Sequence, residues 1–328
     1  MTPRVAVIGL GGIGTALVKR ITDEKHWDIA FAGSRSTYPR SHNPVDDILS
    51  ELKQADPDLT FLCMSSQDKG KAALAYTTAC VRVGKKVVTC EKGMLANFAE
   101  ECVEEMLPFI GYSAAVGGGT HMLPYLQARR PNSHSMYIEA VINGSLNRSF
   151  QRVASGEVTF AGAFAEAKAL KIAEPDCKDE MDFINGECAD LLNKTCVVAN
   201  TSLIRDSFIT PNHLIGGLYY TDEQIVELTA KAAEYRFVVT FTNRKEFTPH
   251  EYFGPHFRVS VEDWEIEGGA REIKSVHWRL PDDVDNALCI VEGNAFGSGG
   301  RYVLYGPGAG VEQTTTAMLN DAERLLRI

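Results

Sequence analysis

The sequence predicts an α/β chain: a parallel sheet wound with helices, then a second, α+β domain on a mainly antiparallel or mixed sheet. Three features predict it. Over residues 5–115 short apolar runs alternate with stretches of helical periodicity, the rhythm of βαβ units whose sheet is covered on both faces. The first run closes in Gly9-Leu10-Gly11-Gly12-Ile13-Gly14, a turn suited to join a buried strand to a helix. After residue 135 the β-branched and aromatic runs come consecutively, several with no helix between, which antiparallel neighbours allow and parallel ones do not.

In order, residues 5–8 form a buried strand closed by glycines and 13–21 the helix that follows. Residues 28–32 are the second strand. Val45, Ile48, Leu49 and Leu52 then recur at i, i+3, i+4 and i+7, one apolar helix face. Residues 59–64 are the third strand, and Ala72, Ala73, Tyr76, Ala79, Cys80 and Val83 mark the next helix. Residues 87–89 are a strand, 98–106 a helix and 112–115 a fifth strand. In the second half strands are expected at 136–142, 236–241, 257–261, 273–279, 288–292 and 302–305, with helices at 163–171, 188–199 and 223–235 to cover them. Met318, Ala322 and Leu325 share one face of a closing helix over 314–328. The domain change is placed in Arg129-Arg130-Pro131-Asn132-Ser133, so that 1–135 is one domain, 136–305 the second, and 306–328 a tail whose helix returns to the first.

Composition narrows the function. A length of 328 residues is about two domains' worth. With 45% hydrophobic residues the cores need no disulfides. A formal charge of −10 with no Lys/Arg run argues against nucleic acid or an anionic membrane as partner. The eight cysteines form no C-x-x-C pair and several lie in apolar runs, as expected of reduced thiols in a cytoplasmic protein. No 18-residue apolar span is present.

The glycine-rich turn is G-x-G-x-x-G between a strand and a helix, the dinucleotide-binding (Rossmann) pattern. Gly9 serves the tight turn, Gly11 lets backbone approach a pyrophosphate, and Gly14 lets helix meet strand. Gly12 and Ile13 open a helix whose free N–H groups suit phosphates. The second strand ends in Gly33-Ser34-Arg35-Ser36 without the acid that would hold a ribose 2′-hydroxyl. Ser34 and Arg35 suit a 2′-phosphate, so NADP is expected ahead of NAD.

Five segments, in order, resemble the homoserine dehydrogenase family. Val88-Thr89-Cys90-Glu91-Lys92-Gly93-Met94-Leu95-Ala96 is similar to its V-T-A-N-K-x-x-L-A, and Ala115-Val116-Gly117-Gly118-Gly119-Thr120 to its V-G-G-G turn. Ile142-Asn143-Gly144-Ser145-Leu146-Asn147 resembles I-N-G-T-T-N. Phe164-Ala165-Glu166-Ala167 with Ala173-Glu174-Pro175-Asp176 resembles F-x-E-A and A-E-P-D, and Tyr305-Gly306-Pro307-Gly308-Ala309-Gly310 is similar to Y-G-P-G-A-G. The resemblance is to the monofunctional form, with neither kinase nor regulatory domain. It implies NAD(P)H-dependent reduction of L-aspartate-4-semialdehyde to L-homoserine, on the path to threonine and methionine. It also implies a homodimer formed through the second domain's sheet.

The same resemblance implies roles for residues. Lys92 and Lys194 flank the carbonyl oxygen, with Asp190 completing the family's D-x-x-x-K. Glu174, assisted by Asp182, takes the substrate ammonium, and Ser145 with Gly144 touches substrate. Ser65, Ser66, Lys92, Gly306 and Gly308 join the glycine-rich turn at the cofactor. Backbone at Val116, Gly118 and Thr120 would hold a monovalent cation such as sodium. By spacing alone, Asp190 and Lys194 are also an ordinary i, i+4 surface pair. The chain departs from the pattern at Glu91, where the family has asparagine, and at Ser113, where it has an acid. About two extra residues stand between Gly186 and Asp190. Two alternatives remain: a dehydrogenase of another small amino-aldehyde or amino acid, and a non-catalytic NADP-binding protein of the same ancestry.

Overall fold

The computed structural model describes the chain except residues 1, 25–26, 39–41, 103–104, 130–135, 171, 174–176, 245–246, 274–283, 294–299, 309 and 327–328. Packing divides it into two compact units, Met1–His121 with Gly310–Ile328, and Met122–Ala309. The division falls before 135 because Met122, Leu123 and Leu126 are buried and their helix packs with the Ala199–Leu203 turn of the second unit.

In the first unit β1 (Arg4–Ile8), β2 (Asp28–Gly33), β3 (Leu59–Leu62), β4 (Lys86–Thr89) and β5 (Ile110–Gly111) form a parallel sheet ordered β2-β1-β3-β4-β5. Helices α1 (Gly12–Glu24), α2 (Pro44–Ala55), α3 (Lys71–Val81), α4 (Gly93–Asn97) and α5 (Ala99–Cys102) connect the strands. Val5, Val7, Phe61 and Val88 of the sheet meet Leu17 and Ile21 of α1 in one core. The C-terminal helix (Val311–Leu326) adds Met318 and Ala322 to it. The helix expected at 98–106 starts earlier and splits in two. The fifth strand is also earlier than expected, since Ser113–Ala115 turns as a 3-10 helix. All eight cysteines are free, and only Cys90 is not buried.

The second unit contains α6 (Met122–Arg129), β6 (Met136–Val141), α7 (Gly144–Ala154), α8 (Phe160–Ala169), α9 (Glu180–Val198), α10 (Asp222–Ala230), β7 (Tyr235–Asn243), β8 (Phe253–Val261), β9 (Trp264–Glu272), β10 (Asn286–Glu292) and β11 (Gly300–Gly306). The six strands form an antiparallel sheet ordered β11-β10-β6-β7-β9-β8. Strand β9 is not among the expected strands. It is nonetheless a buried inner strand. A side chain at Gly268 would come within 2.6 Å of the Phe257 ring, so the glycine gives that ring its place. The glutamates of β9 are held by partners: Glu265 by Arg258 and Ser260, Glu267 by His250. Of the strand expected at 273–279, Ile273 lies outside β9 and the rest outside the described residues. The run at 223–235 is divided, its end starting β7.

Phe237 packs edge-on against Phe150 of α7 at 5.5 Å, on the helix-covered side of the sheet. On the opposite side Glu139, Thr240, Glu267 and Arg258 stand in one row across four strands. That polar row shares its face with the buried cluster of Val141, Val238 and Ala287.

Candidate functional site

The sheet order reverses between β2-β1 and β3, so the C-terminal ends of β1 and β3 bound a crevice suited to ligands. The glycine-rich turn stands there. Gly9 has φ +94° and its N–H donates to the Gly33 carbonyl at 2.8 Å. A Cβ on Gly14 would sit 1.7 Å from the Gly9 carbonyl oxygen, whereas one on Gly11 would meet no atom within 4 Å. Gly9 and Gly14 thus build the turn, and Gly11 leaves its outer side open. Helix α1 begins at Gly12 with no acid in its first turn, which leaves its positive end for an anion. These residues fit a dinucleotide's pyrophosphate.

At the end of β2, Arg35 is exposed and its Nη1 donates to Gln67 Oε1 at 2.7 Å, reaching across to the segment after β3. The Ser34 and Ser36 hydroxyls lie 2.7 Å apart. Ser65 is exposed and Ser66 half-buried on that segment. The Ser66 hydroxyl accepts the Gly93 N–H at 3.1 Å. Lys92 follows the end of β4 and opens α4. Glu91 is 1% exposed, and its carboxylate accepts the N–H groups of Gly93 at 2.5 Å and Met94 at 2.9 Å. The departure at 91 is therefore a helix cap, which orients the backbone carrying Lys92.

In the second unit the I-N-G-S-L-N segment spans the β6–α7 junction. The Asn143 side chain caps α7 by accepting the Leu146 N–H at 2.9 Å. Its amide nitrogen donates to α9, to Glu187 Oε2 at 2.8 Å and to Asp190 Oδ2 at 3.3 Å. That Asp190 oxygen lies 2.8 Å from Lys194 Nζ, and the two side chains are only 17% and 13% exposed. Such shielding is not that of an ordinary surface pair. Nearby, Asp285 accepts the Gly308 N–H. Burial pushes the Asp285 carboxyl above the usual carboxylate range, against the pull of that bond, Arg148 and Lys194. Gly308 has no room for a side chain, since a Cβ would lie 2.2 Å from Asn286 Cγ, and Gly306 ends β11. Gly144 packs on Asp285, and the Ser145 hydroxyl donates to the Ile172 carbonyl at 3.1 Å.

Other expected site residues fall elsewhere. Glu174 lies outside the described residues. Asp182 is in the first turn of α9, where its side chain accepts the Lys178 N–H at 3.3 Å. Eight helical positions separate it from Asp190, about 12 Å of rise. The carboxylate beside Asp190 is instead Glu187, 8% exposed. Its only sequence signal was the i, i+3 spacing to Asp190 within the extra residues after Gly186. In the proposed cation loop the Gly117 carbonyl is taken by the Thr120 N–H at 2.7 Å. Ser113 acts there as a donor to Asp321, not as an anionic ligand, and so does not fit the role of the family's acid. Among the described residues no His, Cys, Asp and Glu group is arranged to hold a metal, and no helix is long and apolar enough to cross a membrane.

A phosphate-ready turn at the switch point of a parallel sheet, with a shielded lysine–carboxylate pair on a following α+β unit, defines a dinucleotide-dependent oxidoreductase. The chain belongs to the homoserine dehydrogenase family, whose model matches residues 125–322, more than half its length. It is 22% identical to the homoserine dehydrogenase of Lactococcus lactis, over all of this chain and 75% of that protein. Its fold is that of a homoserine dehydrogenase from Thiobacillus denitrificans (TM-score 0.68, 17% identity, 99% of this chain and 73% of that one). It is also that of a hyperthermophilic archaeal homoserine dehydrogenase in complex with NADPH (TM-score 0.65, 18% identity, 99% and 98% covered).

Proposed function

We propose that the chain is a homoserine dehydrogenase that reduces L-aspartate-4-semialdehyde to L-homoserine with NADPH. The observation that carries this reading is the shielded Asp190–Lys194 pair, standing in a member of that family. When bound, the nicotinamide supplies the hydride that reaches the aldehyde carbon. As the π bond of the carbonyl opens, its oxygen takes the electron pair and must be stabilised and protonated. Lys194, oriented by Asp190, donates a hydrogen bond to that oxygen and then a proton, which water replaces. By the family pattern Lys92 is the second lysine of the reaction. Ser145 and Gly144 hold the substrate, and Glu174 takes its ammonium group.

Gly9, Gly11, Gly12, Ile13 and Gly14 hold the cofactor's pyrophosphate, with Ser65, Ser66, Gly306 and Gly308 as further contacts. Ser34 and Arg35 favour its 2′-phosphate. The family pattern supports a homodimer, and the free cysteines support a cytoplasmic protein. No step is assigned to a cation at Val116, Gly118 and Thr120. The test is NADPH oxidation with L-aspartate-4-semialdehyde beside a panel of other small aldehydes. Fastest turnover is expected with the semialdehyde; faster turnover of another aldehyde overturns the substrate assignment.

A further inference from the structure

Asn143 stands where β6 hands over to α7, and its amide can be oriented in only one sense. Its Oδ1 accepts the Leu146 N–H at 2.9 Å, so its nitrogen faces α9. Two amide hydrogens meet three acceptors there: the Glu187 carbonyl at 3.0 Å, Glu187 Oε2 at 2.8 Å and Asp190 Oδ2 at 3.3 Å. The last oxygen is the one that lies 2.8 Å from Lys194 Nζ. The extra residues between Gly186 and Asp190 are all helical. They set Glu187, Asp190 and Lys194 at i, i+3 and i+7, on one face of α9.

We propose that Asn143 is a positioning residue for the reaction: its amide bridges Glu187 and Asp190 and so aims Lys194. The inference rests on the roles given above to Asp190 and Lys194. Two carboxylates a helical turn apart repel each other, and Glu187 is 8% exposed, with little water to screen it. A donor shared between them offsets that repulsion and restricts the rotamer of Asp190. Lys194, whose stem has four rotatable bonds, is aimed only as well as the carboxylate it pairs with. The amide is itself fixed at its other end by the α7 cap, so the aim is referred to the sheet through β6.

The test compares Asn143→Asp and Asn143→Ser with wild type, Asp190→Asn and Lys194→Ala. Both Asn143 variants keep an oxygen to cap α7 and lose the amide donor. The expected result is a roughly ten- to hundredfold fall in kcat, with KM for the aldehyde and the NADPH Kd nearly unchanged; the thermal midpoint falls in both variants, further in Asn143→Asp, which sets a third carboxylate beside Glu187 and Asp190. Added to Asp190→Asn, either should cost little more, because one residue acts through the other. A purely structural role would leave kcat intact or multiply the two losses, and either result overturns the proposal. Asn143→Ser decides if Asn143→Asp fails to fold. Normal turnover in Lys194→Ala overturns the underlying reading as well. A disabled Lys194→Ala beside a wild-type-like Asn143→Ser overturns the positioning role alone.

Discussion

Ser113 gives both its backbone N–H and its hydroxyl to the carboxylate of Asp321, each over 2.7 Å. The acid that the family pattern carries at position 113 is thus met here by one from the C-terminal helix. Asp321 is 4% exposed, and Arg324 Nη2 lies 3.3 Å from it. Asp321→Ala leaves two buried donors unpaired and should cost about 1.5–3 kcal/mol. Ser113→Ala, which leaves the N–H bond in place, should cost about 1 kcal/mol. Urea unfolding checks both, and an unchanged midpoint in Asp321→Ala would sink the claim.

Lys194→Ala should lower kcat about 10²–10³-fold, roughly 3–4 kcal/mol of transition-state stabilisation. NADPH binding should stay near normal, because the glycine-rich turn lies in the other unit. Stability should fall by about 1–3 kcal/mol, as a shielded carboxylate loses its cation. Lys92→Ala measured beside it should show non-additive losses if both serve one oxygen. Wild-type kinetics in Lys194→Ala would return Asp190–Lys194 to an ion pair without a role in catalysis.

Two glycines of the cofactor turn should respond differently to a methyl group. At Gly14 a Cβ would lie 1.7 Å from the Gly9 carbonyl oxygen, so Gly14→Ala should distort the turn and lower the thermal midpoint. At Gly11 a Cβ has free space around it, so Gly11→Ala should melt like wild type. It should still bind NADPH more weakly, by tenfold or more, because the methyl stands where the pyrophosphate must approach. Equal NADPH affinity in Gly11→Ala and wild type would move the pyrophosphate away from this turn.

Arg35 supplies a cation at the end of β2, where an acid would select NAD. Losing one charge-assisted bond to a 2′-phosphate costs about 1.5–3 kcal/mol. Arg35→Ala should therefore lower the preference for NADPH over NADH by roughly one to two orders of magnitude, and Arg35→Asp should reverse it. Because Arg35 is exposed, neither should unfold the protein. Paired titrations with both cofactors decide the matter, and an unchanged ratio in Arg35→Ala would leave it a solvated side chain.

Local pattern was enough to predict the parallel sheet, the glycine-rich turn and the strand end at Gly33, because each follows from neighbours a few residues apart. Spacing alone also put Asp190 and Lys194 on one helix face. It could not say that their side chains would be 17% and 13% exposed, since the burial comes from other elements. Strand β9 was missed for the same reason: its glutamates are satisfied only when Arg258, Ser260 and His250 are brought against them. Glu91 looked like a lost family residue, and only the backbone of α4 makes it a cap. The pairings of Asn143 with Glu187 and of Ser113 with Asp321 join residues 44 and 208 positions apart. Periodicity is a property of one segment. Which segments meet is decided when the apolar faces are buried, and polar partners are then set by what that burial brings within hydrogen-bond reach.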